Sequence, residues 1–139
     1  MAGHAFLGFA HEDPGYFGRA MLAQDLSAVT AACMMVKRSV FEEVGGLDEA
    51  FAVAFNDVDL CMKIRKAGYL IVYNPYAELF HYESKSRGYE DTEEKLKRFH
   101  SEIELFQTRW RLFLEQGDPY YNPNLSLNRN DFSVNLLKK

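Results

Sequence analysis

Acidic residues gather at the predicted start of a helix near the middle of the chain. The run Phe55 to Gly88 reads FNDVDLCMKIRKAGYLIVYNPYAELFHYESKSRG, and Asn56 can cap a helix whose first turn contains Asp57 and Asp59. The helix dipole favours carboxylates there, so these residues also suit an ordinary helix start. A carboxylate fixed at that point can take a proton from a substrate hydroxyl within hydrogen-bond reach. Asp57 is therefore a candidate general base, with a plain helix start as the alternative.

A histidine and a cationic loop follow the strand predicted after that helix. His81 comes after the run AELF, where a histidine is either structural or one ligand of a divalent cation. No second ligand stands nearby at metal spacing, so a metal site here is incomplete within this chain. The loop supplies hydroxyls and cations that suit a diphosphate, and equally suit any solvated loop, at Ser84, Lys85, Ser86 and Arg87.

Sequence patterns of several other chemistries are absent. There is no GxxxxGK[ST], GxGxxG or GxSxG, and the net charge of -4 gives no indication of nucleic-acid binding. Cys33 and Cys61 fall in apolar segments and are expected to be reduced core thiols. No run of 18 apolar residues predicts a membrane span, and no secretory signal precedes the first motif. We expect a cytoplasmic protein, with peripheral attachment at the inner face of the membrane as a variant.

The elements that must position these residues follow from apolar periodicity and turn signals. The run SAVTAACMMV does not alternate, which favours a strand buried on both faces. A short helix and a loop then lead to the buried helix that begins at Asn56. Glycines end both helices. The predicted order is a strand over Ser27 to Val36, helices over Lys37 to Val44 and Asn56 to Gly68, and a strand over Tyr69 to Tyr73.

The longest predicted element is an amphipathic helix over Thr92 to Gln116. Its apolar residues recur at spacings of 3, 4, 3, 4 and 3, at Leu96, Phe99, Ile103, Phe106, Trp110 and Phe113. The stripe is expected to lie across its own domain, and a helix-helix dimer seam is the runner-up. We divide the chain into a first part (1–90), this helix (91–117) and an irregular tail (118–139).

The order of these motifs resembles the second half of a glycosyltransferase family 2 domain. The similar stretch, residues 27 to 88, contains a small-residue strand, VFEEVGGLDEAF, an acidic pair before DLCMKIRKAGY, another strand and H-x-x-S. The tail piece DPYYNPNLS is similar to C-terminal extensions of bacterial members that build O-antigen, rhamnan and other surface polysaccharides. The resemblance implies that residues 1–90 are a partial catalytic domain, the C-terminal, acceptor-side half of a GT-A fold with a Rossmann-like α/β architecture.

The resemblance also implies a reaction and the residues that serve it. Family members transfer a sugar from a nucleotide-diphosphate sugar to a hydroxyl of a glycan or lipid-linked acceptor. The configuration at the anomeric carbon is inverted in this reaction. Asp57 matches the catalytic base, and Asn56 replaces the Glu of most relatives, which leaves the role of that acid open. His81 matches a ligand of Mg²⁺ or Mn²⁺, and the loop over Ser84 to Arg87 matches one that closes over the diphosphate. The expected acceptor-side supports are Asn56, Asp59, Asp48 and Glu49.

The donor-binding half of such a domain has no counterpart in this chain. Asp57-Val58-Asp59 has the letters of the family's metal-binding D-x-D, but its position matches the base motif. We therefore expect a fragment of a longer transferase that is inactive alone and does not bind the cation by itself. Exposed fragment surfaces make a homodimer an option. The alternatives are a non-catalytic binding or assembly module that uses the aromatic helix face and, less favoured, a metal-dependent hydrolase that uses Asp57 and His81.

Overall fold

Short helices and a small sheet make up the described part of the chain. The computed structural model describes residues 3–81 and 92–135. Its strands and α-helices, in chain order, are β1 (Gln24–Leu26), α1 (Arg38–Glu43), α2 (Asn56–Lys66), β2 (Ile71–Tyr73), α3 (Glu93–Arg109) and α4 (Arg111–Gln116). This mixture of helices and a small sheet is consistent with the predicted α/β class. Within the described ranges, no helix is both long and apolar enough to cross a membrane.

The sheet consists of β1 and β2, which run antiparallel with Gln24 opposite Tyr73 and Leu26 opposite Ile71. The strand predicted over Tyr69 to Tyr73 is confirmed for its last three residues. Burial of Ile71 at the sheet end places β2 against α2 in the core.

The strand predicted over Ser27 to Val36 is wrong. The strand lies just before that run, and Ala31–Cys33 form an exposed 3₁₀ turn instead. The hydroxyl of Thr30 accepts a hydrogen bond from the backbone N–H of Ala32 at 3.3 Å, which gives the backbone a local partner in place of a strand ladder. Cys33 is consequently exposed and is not the core thiol we expected, whereas Cys61 is buried.

Helix α1 ends at a pair of glycines, as predicted. The N–H of Gly46 donates to the carbonyl of Phe41 at 2.8 Å, and the N–H of Gly45 donates to Glu42 at 3.1 Å. Both glycines have positive φ, 78° and 61°, which other residues adopt only with strain. A Cβ on Gly46 would lie 2.9 Å from the ring of Phe41, while one on Gly45 would meet nothing within 4 Å.

Helix α2 lies between two apolar clusters, which confirms the prediction that most of it is buried. On one side Leu60, Cys61 and Ile64 pack with residues from α1 and β2. On the other side Met62 packs with an aromatic cluster formed by Phe51, Phe106 and Trp110. Since α2 contributes to both clusters, its orientation is set by the whole domain.

The predicted long helix is divided in two. Trp110 has φ -107° and ψ 20°, which separates α3 from α4, although its N–H still donates to the carbonyl of Phe106 at 3.0 Å. Thr92 caps α3 by accepting from the N–H of Lys95 at 3.3 Å. Phe106 and Trp110 are only 7% and 8% exposed and pack on residues of the same chain. The aromatic stripe therefore lies across its own domain, as predicted.

The tail packs on the first residues of the chain. Phe132 is buried, and its ring stacks on Phe6 and Tyr16 with centroids 4.9 Å and 5.6 Å away. The guanidinium of Arg19 lies 5.3 Å from the same ring. An isolated antiparallel bridge joins Leu125 to Val134. These contacts bring the two ends of the described chain together. The domain boundaries proposed above stay a prediction.

The two glycines after α1 give a matched test of the packing. Gly45→Ala and Gly46→Ala each place a side chain at positive φ, which costs about 1–2 kcal/mol. Only Gly46→Ala also forces a methyl group against the Phe41 ring, for roughly 1–3 kcal/mol more. Urea denaturation should therefore show the larger loss for Gly46→Ala. Equal losses would contradict the close approach of Gly46 to Phe41.

Candidate functional site

The predicted base lies in the first turn of α2. The helix begins at Asn56, and the prediction that Asn56 is the cap is wrong because Phe55 occupies that position. The carbonyl of Phe55 accepts the N–H of Asp59 at 2.8 Å, and the Asn56 side-chain oxygen accepts the N–H of Asp57 at 2.7 Å. The placement of Asp57 and Asp59 in the first turn is confirmed.

The carboxylate of Asp57 is half-buried and held by backbone donors. Its Oδ2 accepts the N–H of Ala31 at 3.1 Å, from the exposed turn that follows Thr30, and its Oδ1 accepts the N–H of Val58 at 2.8 Å. A carboxylate offers about four lone-pair sites, and these bonds use two of them. The group is therefore fixed in place and retains the capacity to accept a proton.

Phe55 introduces strain directly before the site. Its φ of 63° and ψ of 4° place a bulky residue in the left-handed region, which ordinary side chains avoid. The ring lies between two aromatic residues of α3, 5.1 Å from Phe106 and 6.1 Å from Phe99 between centroids. Packing on α3 thus compensates for the strain and sets the direction in which the chain enters α2.

Asp59 is fully buried, at 0% exposure, and serves to join helices. Its Oδ1 accepts hydrogen bonds from Nε1 of Trp110 at 2.8 Å and from the guanidinium of Arg109 at 3.0 Å. Its Oδ2 lies 3.4 Å from Nζ of Lys63, an ion pair without hydrogen-bond geometry. This carboxylate fastens α2 to the end of α3 and cannot touch a substrate in this arrangement.

Arg109 links Asp59 to a second predicted support, Asp48. The same guanidinium nitrogen donates to Asp48 Oδ2 at 2.7 Å. The N–H of Ala50 and, next, the Arg109 side chain hold the pKa of Asp48 below its usual value. Partial burial lowers the pKa of Arg109, but its bonds to the two carboxylates outweigh that effect and leave the pKa raised. Glu49, the neighbouring predicted support, is exposed.

Glu102 of α3 is a further buried carboxylate, at 3% exposure, and sequence reasoning did not single it out. Its Oε2 accepts the N–H of Ala54 at 2.7 Å, and its Oε1 accepts that of Val53 at 3.3 Å. Arg98 lies 3.7 Å from Oε1. The sequence did contain a signal, because Glu102 lies one helical turn before Phe106 and so falls on the apolar face of α3.

The remaining predicted residues follow β2 in the sequence. His81 is exposed at the end of the first described range, and the loop over Ser84 to Arg87 lies outside the described residues. Within residues 3–81 and 92–135, no three His, Cys, Asp or Glu side chains gather closely enough to hold a metal ion. These ranges therefore do not form a complete site for the predicted cation. A shallow cavity of about 600 Å³ lies between segments 19–25 and 119–124, and none of the predicted site residues in the described part of the chain lines it.

Several curated proteins are similar to the chain. The uncharacterized protein y4gI of Sinorhizobium fredii is 53% identical over 133 residues, which cover 95% of this chain and 14% of that protein. The O-antigen biosynthesis protein RfbC of Myxococcus xanthus is 35% identical over 116 residues, or 83% of this chain and 9% of the relative.

A third relative matches a shorter stretch of the chain. The N-acetylglucosaminyl-diphospho-decaprenol L-rhamnosyltransferase of Mycobacterium tuberculosis is 43% identical over 60 residues, 43% of this chain and 20% of that protein. The chain thus spans a fifth or less of the length of these relatives. No protein-family model matches it. No solved structure matches it either. The names of the partial relatives suggest a glycosyltransferase-like family.

The Asp59 pair can be tested by removing its partner. Arg109→Met leaves a buried carboxylate with one fewer cation, so we expect a loss of about 3–5 kcal/mol in the free energy of unfolding. Urea denaturation measures this loss. Arg111→Met is the matched control, since that side chain is 72% exposed and should change stability by less than about 0.5 kcal/mol. A loss as small as that of the control would contradict the buried pair.

The lowered pKa of Asp48 predicts acid sensitivity. Stability from a group with a lowered pKa is present above its unfolded value, about 4, and is lost as the pH falls through the folded value. The free energy of unfolding should therefore decrease below about pH 4, and Asp48→Asn should make that decrease smaller. Asp131, whose pKa is lowered chiefly by Arg129, retains its own share of the dependence.

Denaturation curves at several pH values measure this effect. Glu49→Gln, at the exposed neighbouring position, should keep the wild-type dependence. The same pH dependence in Asp48→Asn and wild type would contradict the assignment to Asp48.

Proposed function

We propose that this chain is the acceptor-side part of a glycosyltransferase that works in surface polysaccharide synthesis. The observation that carries the proposal is the similarity to two proteins named for O-antigen biosynthesis and for L-rhamnosyl transfer. The order of motifs over residues 27 to 88 supports the same reading. The fold we propose is the C-terminal half of a GT-A domain, with the rest of that domain outside these 139 residues.

In this proposal Asp57 is the general base. The acceptor hydroxyl oxygen forms a bond to the anomeric carbon as the bond from that carbon to the phosphate oxygen breaks. The bonding pair leaves with the nucleoside diphosphate, the hydroxyl proton passes to the Asp57 carboxylate, and the configuration inverts. The half-buried carboxylate, held by the N–H groups of Ala31 and Val58, supports this role because it combines fixed position with access.

Other residues take supporting parts in the proposal. Lys85 and Arg87 would neutralise the charge of the donor diphosphate, and the hydroxyls of Ser84 and Ser86 would donate hydrogen bonds to it. His81 would supply one ligand of Mg²⁺ or Mn²⁺. The described residues do not form a complete cation site, so the remaining ligands would come from elsewhere in the intact protein.

The acceptor side is supported from within the fold. Asn56 would orient Asp57 through its bond to the backbone N–H, and Asp59 and Asp48 would do so through the Arg109 network. Glu49 lies exposed beside Asp48, where it can contact the acceptor.

No specific observation favours either alternative function. The binding-module alternative needs an exposed aromatic stripe, but Phe106 and Trp110 are buried against their own chain. The hydrolase alternative needs a metal cluster, and none is found among residues 3–81 and 92–135. Transfer by a general base therefore remains the function we propose.

The base assignment predicts a selective loss of transfer. Asp57→Asn keeps the shape of the side chain and an oxygen that accepts the Ala31 N–H, but an amide cannot take the proton. We expect transfer to fall by at least about 100-fold, since general bases contribute roughly 10²–10⁴-fold, with donor binding nearly intact.

The assay uses the intact protein with a nucleoside-diphosphate L-rhamnose and N-acetylglucosaminyl-diphospho-decaprenol, the acceptor class in the name of one relative. Release of nucleoside diphosphate measures transfer, and calorimetry measures donor binding. Asp13→Asn is the matched control, because its carboxylate contacts the nearby N–H of Gly15 in the exposed first segment. Equal losses of transfer and donor binding in Asp57→Asn would count against the base assignment.

A further inference from the structure

Two buried carboxylates connect α2 and α3. One belongs to α2 and binds the end of α3, and the other belongs to α3 and binds the backbone that leads into α2. Asp59 of α2 accepts hydrogen bonds from Arg109 and Trp110 at the end of α3. Glu102 of α3 accepts hydrogen bonds from the backbone that leads into α2. We infer that Glu102 is a positioning residue that fixes the place of the Asp57 carboxylate. This inference rests on the proposed role of Asp57 as base.

The first step is the contact between Glu102 and the loop. Its carboxylate is 3% exposed and accepts the N–H groups of Val53 and Ala54. Both donors are half-buried and precede a helix, so no strand or helix ladder supplies them with an acceptor. Because a buried carboxylate strongly requires hydrogen bonds, the contact constrains the loop as much as the glutamate.

The second step is Phe55, the residue directly after this contact. It adopts the left-handed conformation that sets the direction of the first turn of α2. A strained residue keeps such a conformation only where its surroundings enforce it. Glu102 holds the backbone on its N-terminal side, and the rings of Phe99 and Phe106 hold its side chain. Without the Glu102 contact, Phe55 can relax and turn the Asn56-Asp57 pair away.

The third step is that all these contacts come from residues on one face of α3. Phe99, Glu102, Phe106 and Arg109 follow one another at spacings of 3, 4 and 3. Glu102 and Arg109 are seven residues, or about 10 Å, apart along α3. Asp57 lies between the two attachments in sequence, since Ala54 binds one and Asp59 binds the other. α3 therefore acts as a two-point support for the turn that carries Asp57.

The activity test uses Glu102→Gln, which keeps the size of the side chain and one acceptor oxygen, and Glu102→Ala, which loses both oxygens. The control is Glu104→Gln, on the exposed side of the same helix. With the two substrates named above, and well below the melting temperature, we expect kcat to fall about 100-fold in Glu102→Ala and less in Glu102→Gln, with donor KM unchanged.

A double-mutant cycle separates positioning from a general loss of structure. If Glu102 acts through Asp57, then adding Glu102→Gln to Asp57→Asn should cause no further loss of kcat. Independent, multiplicative losses would overturn the inference. Unchanged kcat in Glu102→Gln and Glu102→Ala would overturn it as well.

A second measurement does not depend on transfer. In the 139-residue chain, NMR of the ¹³C-labelled Asp57 carboxyl and of the Ala31 amide reports the place of the carboxylate. Glu102→Gln should move both signals, and Glu104→Gln should leave them unchanged. If Glu102→Gln destabilises the protein but leaves both signals unchanged, Glu102 has only a structural role and the inference is wrong. Moved signals in the 139-residue chain, together with an intact protein that shows no transferase activity, would support the positioning role and reject the proposed function.

Discussion

The packing of this domain depends on one constraint, which is that a carboxylate buried away from water must have partners that compensate its charge. Asp59 lies inside α2, and its charge is compensated by Arg109, by the indole of Trp110 and by the nearby ammonium of Lys63. An unpaired charge at such a depth would cost several kcal/mol, roughly as much as a small domain has in total. The fold must therefore keep α2 and the junction of α3 with α4 together. Trp110, at the break between α3 and α4, donates its indole N–H to the carboxylate.

This constraint explains how a small helical domain can hold Asp57, the base we propose, without a large sheet in its described part. The described sheet has two short strands, so the site is built on α2 and the helices packed across it. Lys63 also donates to the carbonyl of Gly46, which ties the end of α1 to the same ion pair. Helices that exchange buried polar contacts at several points leave little freedom for the first turn of α2. This suits the proposed role of Asp57 as a base that must meet a hydroxyl within a few tenths of an ångström.

Local signals predicted several elements well. The glycine pair after α1, the start of α2 at Asn56 and the aromatic stripe of α3 all follow from interactions between residues close in sequence. The failed strand over Ser27 to Val36 has a different cause. A small apolar run suits a strand only if partner strands flank it, and no local signal reports whether they do. The carboxylates around the start of α2 were predicted in the same uneven way, because local signals placed Asp57 in the first turn and did not single out Glu102.

The sequence by itself determined that two aspartates open a helix and that an ordered set of motifs follows them. It did not determine which aspartate faces the core. Asp57 and Asp59 are two residues apart, and at about 100° per residue they point to nearly opposite sides of α2. Because apolar residues surround most of that helix, periodicity does not choose between the sides. The tertiary structure decided it, since Arg109 and Trp110 neutralise Asp59 inside the domain and leave Asp57 at the surface turn beside Ala31.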